Sequence, residues 1–121
     1  MIDMTTDNHG DLIASDRVEG TAVYNRQGDH LGKIANFMVE KRSGQVRYAV
    51  MAFGGFLGLG NDHYPLPWSI LTYDTDKGGY VVDLDKQLLD DAPRHAPDGR
   101  PDYDDSYGRN VYQYYGQIYP W

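Results

Sequence analysis

The sequence predicts a mainly β protein, an antiparallel barrel or sandwich of about six short strands. Short runs rich in Val, Ile, Tyr and Phe recur from Val18 to Asp85. Polar turns containing Gly separate them, and no helical pattern lies between most of them, which leaves no material for βαβ crossovers.

The first run, "VEGTAVY" (Val18–Tyr24), stops at the polar turn "NRQGD" (Asn25–Asp29). "HLGKIANFMVEK" (His30–Lys41) follows and ends at "KRSGQ" (Lys41–Gln45). "VRYAVMAF" (Val46–Phe53) is apolar on both faces apart from Arg47, as expected of a strand in a small closed core. Pro65 and Pro67 confine "HYPLPW" to an edge or a bulge, because proline donates nothing to a ladder. "PWSI" (Pro67–Ile70) suits a single helical turn with proline at its start. "LTYD" and "GYVVDLD" flank "TDKGG" (Thr75–Gly79), a hairpin by composition. "DKQLLDDA" (Asp85–Ala92) reads as one or two turns of helix, with Asp85 as N-cap, Leu88 and Leu89 toward the core, and Pro93 as the stop.

Composition divides the chain into an acidic N-terminal arm (1–14), a β domain (15–92) and a Tyr/Pro/Gly-rich tail (93–121). The net charge of −7 is uneven: residues 1–16 hold four Asp and no base (−4), 17–92 ten acids and eight bases (−2), and 93–121 four acids and three bases (−1). With no basic stripe, nucleic-acid binding is disfavoured, since most sequence-independent affinity comes from Lys and Arg on phosphates. No apolar run approaches bilayer length, and the N-terminus has neither a basic head nor a signal-type apolar stretch, so a cytoplasmic protein is expected. The absence of cysteine excludes disulfides and thiolate metal sites.

The tail holds six of the eleven tyrosines and one of the two tryptophans. Its composition allows a disordered extension, but aromatics bring large buried area at low entropic cost. The alternative is that "NVYQYYGQIYPW" (Asn110–Trp121) straps onto its own barrel or onto a neighbouring copy.

"AFGGFLGLGNDHYPLPWS" (Ala52–Ser69) has four glycines within Gly54–Gly60. It is no phosphate cradle: Asn61, Asp62 and His63 follow where Lys and Ser or Thr are needed, and Gly55, Gly58 and Gly60 run GxxGxG. The glycines suit a tight corner, which leaves Phe56, Leu57 and Leu59 as an apolar contact patch. The histidines His9, His30, His63 and His95 form no metal-ligand spacing, and Asp62–His63 sits beside a strand, where neighbours face opposite ways. The pairs Asp74/Asp76, Asp83/Asp85, Asp90/Asp91 and Asp104/Asp105 lie in turns, caps or tail, and "DTDKGG" lacks the rest of a calcium loop. The four serines lie outside any nucleophile elbow, and Ser69 suits a cap. Tyr48, Tyr64, Trp68, Tyr73 and Tyr80 fill or rim the core. On these readings no catalytic, metal or cofactor site is expected.

"VYNRQGDHLGKI", "VEKRSGQVRYAVM" and "HYPLPWSIL", in that order and at compact spacing, resemble the PRC-barrel family. That family includes the cytoplasmic domain of the photosynthetic reaction centre H subunit, the C-terminal domain of the ribosome maturation factor RimM, and stand-alone bacterial proteins. The similarity covers about Asp16 to Asp91 and looks closest to the stand-alone group, often named after the H subunit. It implies a small, curved β-barrel of about six strands, with the short C-terminal helix and aromatic-rich tail appended here, used as an adaptor without enzyme activity. The expected function is therefore a protein–protein interaction module that self-associates as a dimer, with Phe56, Leu57, Leu59, Tyr112, Tyr114, Tyr115, Tyr119 and Trp121 as interaction residues. The alternatives are an accessory role beside a membrane electron-transport complex, or association with RNA or the ribosome.

Overall fold

The computed structural model describes residues 12–54 and 61–121. A short helix α1 (Ser15–Val18) leads into β1 (Ala22–Asn25), β2 (His30–Val39), β3 (Val46–Gly54) and β4 (Asn61–Pro67). A 3-10 turn at Trp68–Ile70 joins β5 (Leu71–Asp74) and β6 (Gly79–Val82); a 3-10 segment Lys86–Asp91 and helix α2 (Asp105–Tyr114) complete the chain. The strands form one six-stranded sheet in the order β4-β3-β2-β1-β6-β5, curved into a half-barrel.

The expected six strands are present, as a half-barrel. Its sheet is mixed: β1 runs parallel to β6 (Val23 opposite Tyr80), and the other four pairings are antiparallel. Hairpin signals govern only neighbours in sequence, so they could not show that β6 returns beside β1.

Local chemistry accounts for the turns. Asn25 is buried, and its carboxamide oxygen accepts from the Asp29 N–H (2.8 Å) while its amide donates to the Asp29 carboxylate (3.0 Å). Gly28 supplies the positive φ of 88° in the same turn. At Gly32 a Cβ would run into the carbonyl oxygen of Ala52, so β2 and β3 approach closely only with glycine there.

The half-barrel core gathers Val23, Leu31, Ile34, Met51, Leu66 and Leu89, among others. Each such buried aliphatic side chain is worth about 1.5–3 kcal/mol. Ala49 and Met51 point into this core, whereas Tyr48 joins a second cluster with Val111 and Tyr112. The doubly apolar β3 is therefore explained by α2 covering its outer face.

Asp85 caps the 3-10 segment as expected, its carboxylate accepting from the Gln87 N–H (3.1 Å). Leu89 is fully buried, but Leu88 is 39% exposed, because a 3-10 segment cannot turn both adjacent leucines inward.

Candidate interaction surface

Strands β4 and β5 are the two edges of the half-barrel. A groove of about 790 Å³ lies beside β5, with Phe37, Val39, Val46, Trp68, Leu71 and Tyr73 on its walls and no charged residue among the described residues of its lining. Edge-to-face contacts hold the aromatic wall: Phe37 with Trp68 (5.0 Å), Trp68 with Tyr80 (5.7 Å) and Tyr73 with Tyr80 (5.2 Å). Val39 on its rim is 50% exposed. Across β5 lies a second cleft of about 650 Å³, reached by Arg26, Thr72, Asp74, Asp83 and Gln117. Asp83 pairs with Arg26 at 3.5 Å.

Helix α2 positions the C-terminal aromatics. Asp104 caps it, accepting from the Tyr107 N–H (2.9 Å). The Tyr112 ring is buried edge-on against Tyr48 (5.6 Å), and its hydroxyl donates to the Arg47 carbonyl (2.6 Å). The Arg47 guanidinium lies over Trp121, 4.4 Å from the ring centroid. Trp121 also meets Tyr112 (5.8 Å) and Tyr119 (5.7 Å). Tyr119 donates to Asp105 (3.0 Å), and the exposed Tyr114 hydroxyl donates to the Leu88 carbonyl. Burial pushes the Tyr112 hydroxyl up to about 12 and raises Tyr48, Tyr103 and Tyr115 as well, so these groups are neutral phenols across the physiological range. Around this cluster, Ile118 is 89% and Trp121 39% exposed. They line a third cleft, of about 640 Å³, which shares Val46 and Trp68 with the uncharged groove.

A family model for the PRC-barrel domain matches residues 10–89. The chain belongs to the PRC-barrel domain family. Among solved structures it is similar to a Pseudomonas aeruginosa protein described as a 16S ribosomal RNA processing protein, RimM, at 22% identity and a TM-score of 0.41. That similarity covers 62% of this chain and 45% of the other, so this chain spans less than half of that relative. Comparison with curated proteins finds no match. Helix α2 and the aromatic cluster lie beyond the residues the PRC-barrel model matches.

The interaction residues expected from the sequence fall into two groups. Phe56, Leu57 and Leu59 lie outside the described residues. Tyr112, Tyr114, Tyr115, Tyr119 and Trp121 come together on one side of the barrel, with contacts made within the chain. Among the remaining PRC-barrel polar residues, Asp62 pairs with Arg94 (3.5 Å), and Asp74 accepts from the N–H groups of Asp76 (2.9 Å) and Lys77 (3.2 Å). Ser69 does not cap its turn: the N-cap is Pro67, and the Ser69 hydroxyl donates to the Gln117 side chain (3.0 Å). His63 and His95, far apart in sequence, form a two-bond antiparallel bridge, His63 N–H to His95 O (2.8 Å) and His95 N–H to His63 O (3.0 Å). The His95 Nε2 lies 2.8 Å from the Tyr103 hydroxyl. Nothing in the local spacing of either histidine signals this long-range pairing. Among the described residues, no group of three or more His, Cys, Asp or Glu is arranged to hold a metal, and no helix is long and apolar enough to cross a membrane.

Proposed function

We propose that this PRC-barrel chain is a non-enzymatic protein-binding module whose copies associate through the C-terminal aromatic face. The observation that carries the reading is the exposure of Ile118, Trp121 and Val39 around clefts that share Val46 and Trp68. Large apolar side chains left in water on one connected face mark a contact surface. The non-enzymatic part rests on where the polar groups are spent. Asp74, Asp85 and Asp104 accept backbone N–H bonds, and Asp62 and Asp83 pair with arginines. A two-fold dimer is the usual outcome for a self-complementary patch. The loop residues Phe56, Leu57 and Leu59 are proposed as a further contact of the same kind.

Sedimentation equilibrium tests this on the full chain. The wild type sediments as a dimer in the micromolar range, and Ile118→Asp shifts it to monomer with an unchanged circular dichroism spectrum. A wild-type chain that is monomeric at every concentration overturns self-association. A dimer indifferent to Ile118→Asp but dissolved by Leu57→Asp with Leu59→Asp moves the interface to the glycine loop.

A further inference from the structure

We infer that an extended peptide segment of a partner protein, alternating apolar and basic side chains, adds as a strand to the free edge of β5. The inference rests on the protein-binding reading and names the partner class and the place.

The two edges of the sheet are treated in opposite ways. On β4 the His63 N–H points away from β3 and is taken by His95. Pro65 and Pro67 occupy the next positions of the same parity, where an outward N–H would otherwise stand. The prolines thus sacrifice no bond to β3, and they deny any incoming strand a donor. This edge is closed. Among the described residues strand β5 pairs with β6 alone, and although it is short, its sequence Leu-Thr-Tyr-Asp contains no proline and no lysine to discourage pairing. Among the described residues its other backbone bonds are confined to its ends, Leu71 N–H to Trp68 O and Gly78 N–H to Asp74 O. Alternate residues of an antiparallel pair direct their N–H and C=O outward, so beyond the Leu71 N–H already bonded to Trp68 this short strand still presents backbone groups to an incoming chain.

The clefts on either side of that edge supply specificity. Leu71 and Tyr73 face the uncharged groove, Thr72 and Asp74 the second cleft, and Tyr73 and Thr75 border both. A strand laid along β5 sends its side chains alternately into the two. The groove takes apolar groups. In the other cleft the Arg26 guanidinium is already matched by Asp83, which leaves Asp74, one oxygen of which accepts the Asp76 and Lys77 N–H groups, as the charge without an ion-pair partner among the described lining residues, and this favours a basic group. A second copy of β5 is disfavoured there, because it would bring its own Asp74 toward an acidic cleft.

The probe is a blocked synthetic peptide of about eight residues in which valine alternates with lysine and threonine, titrated into the full chain. Amide resonances of β5 and of both cleft walls shift saturably, and alternate β5 amides gain protection from hydrogen exchange. N-methylation of the peptide along one edge abolishes binding, while methylation along the other leaves it. Replacing lysine by glutamate weakens binding about tenfold, and Asp74→Lys reverses that preference. Absence of saturable binding, or binding indifferent to N-methylation on either edge, overturns the inference. Perturbation confined to Ile118–Trp121 also overturns it, yet leaves the protein-binding reading standing; the dimer measurement judges that reading separately.

Discussion

His63 stands in a corner where burial and charge act in the same direction. Desolvation, the neighbouring His95 and the Arg100 guanidinium all hold its imidazole below the usual histidine range, and only Asp62 opposes them. Its Nδ1 is buried without a hydrogen-bond partner among the described residues. A base whose folded pKa is depressed contributes stability above its unfolded value, about 6.5, and that contribution fades as pH falls toward the folded value. The urea midpoint should therefore drop between pH 7 and pH 5 more steeply in the wild type than in His63→Gln. Equal slopes would show that the ring titrates freely. The two prolines beside it were legible as edge residues from sequence alone, since their missing N–H is a local property. The His63–His95 bridge was not, because 32 positions of chain separate its partners.

Helix α2 shows how an element can be written in a sequence and still be hidden by composition. Asp104 is a good N-cap, and Tyr103, Tyr107, Val111 and Tyr115 recur at four-residue spacing. Tyrosine and glycine are poor helix formers, however, and the surrounding Pro and Gly point toward an irregular tail. What stabilises the helix is tertiary: it lies on Tyr48 and on the β4 side of the sheet. Gly108 tests this. On an isolated helix Gly→Ala gains about 1 kcal/mol. Here a Cβ would sit 2.5 Å from both the Tyr119 ring and the Tyr48 hydroxyl. Overpacking of that kind costs about 1–3 kcal/mol, so the clash outweighs the propensity and Gly108→Ala should lower the urea midpoint. A midpoint that rises would mean that Tyr119 swings aside at no cost. Most strand limits, by contrast, are legible in the sequence, because Gly28, Gly44 and Gly78 mark their turns with positive φ; the exceptions are the first run, whose Val18 closes helix α1 so that β1 begins only at Ala22, and the last, which ends at Val82 rather than Asp85. The spatial order of the strands was hidden, since the parallel β1–β6 pairing depends on contacts between distant segments.

At the scale of the whole molecule, the question is whether the C-terminal segment stabilises the barrel it belongs to or another copy. Its contacts here are internal: Tyr112 to Arg47, Tyr114 to Leu88, Gln117 to Ser69, and Trp121 under Arg47. Removing residues 99–121 would uncover Tyr48, now 2% exposed, and lose the buried Val111 and Tyr112. At about 1.5–3 kcal/mol for each large apolar side chain, the loss is several kcal/mol, so the truncated chain should melt about 10 °C or more below the full one. Concentration separates the two modes of packing. If the segment packs within its own chain, dilution removes only the part of the difference that dimerisation adds, and a large difference remains once the chain is monomeric. If it acts on a second copy, mass action makes the full chain's melting temperature fall on dilution until it approaches that of the truncated form. The internal contacts predict a difference that persists in dilute solution. Convergence of the two melting temperatures there would instead assign the aromatic segment to the neighbouring molecule.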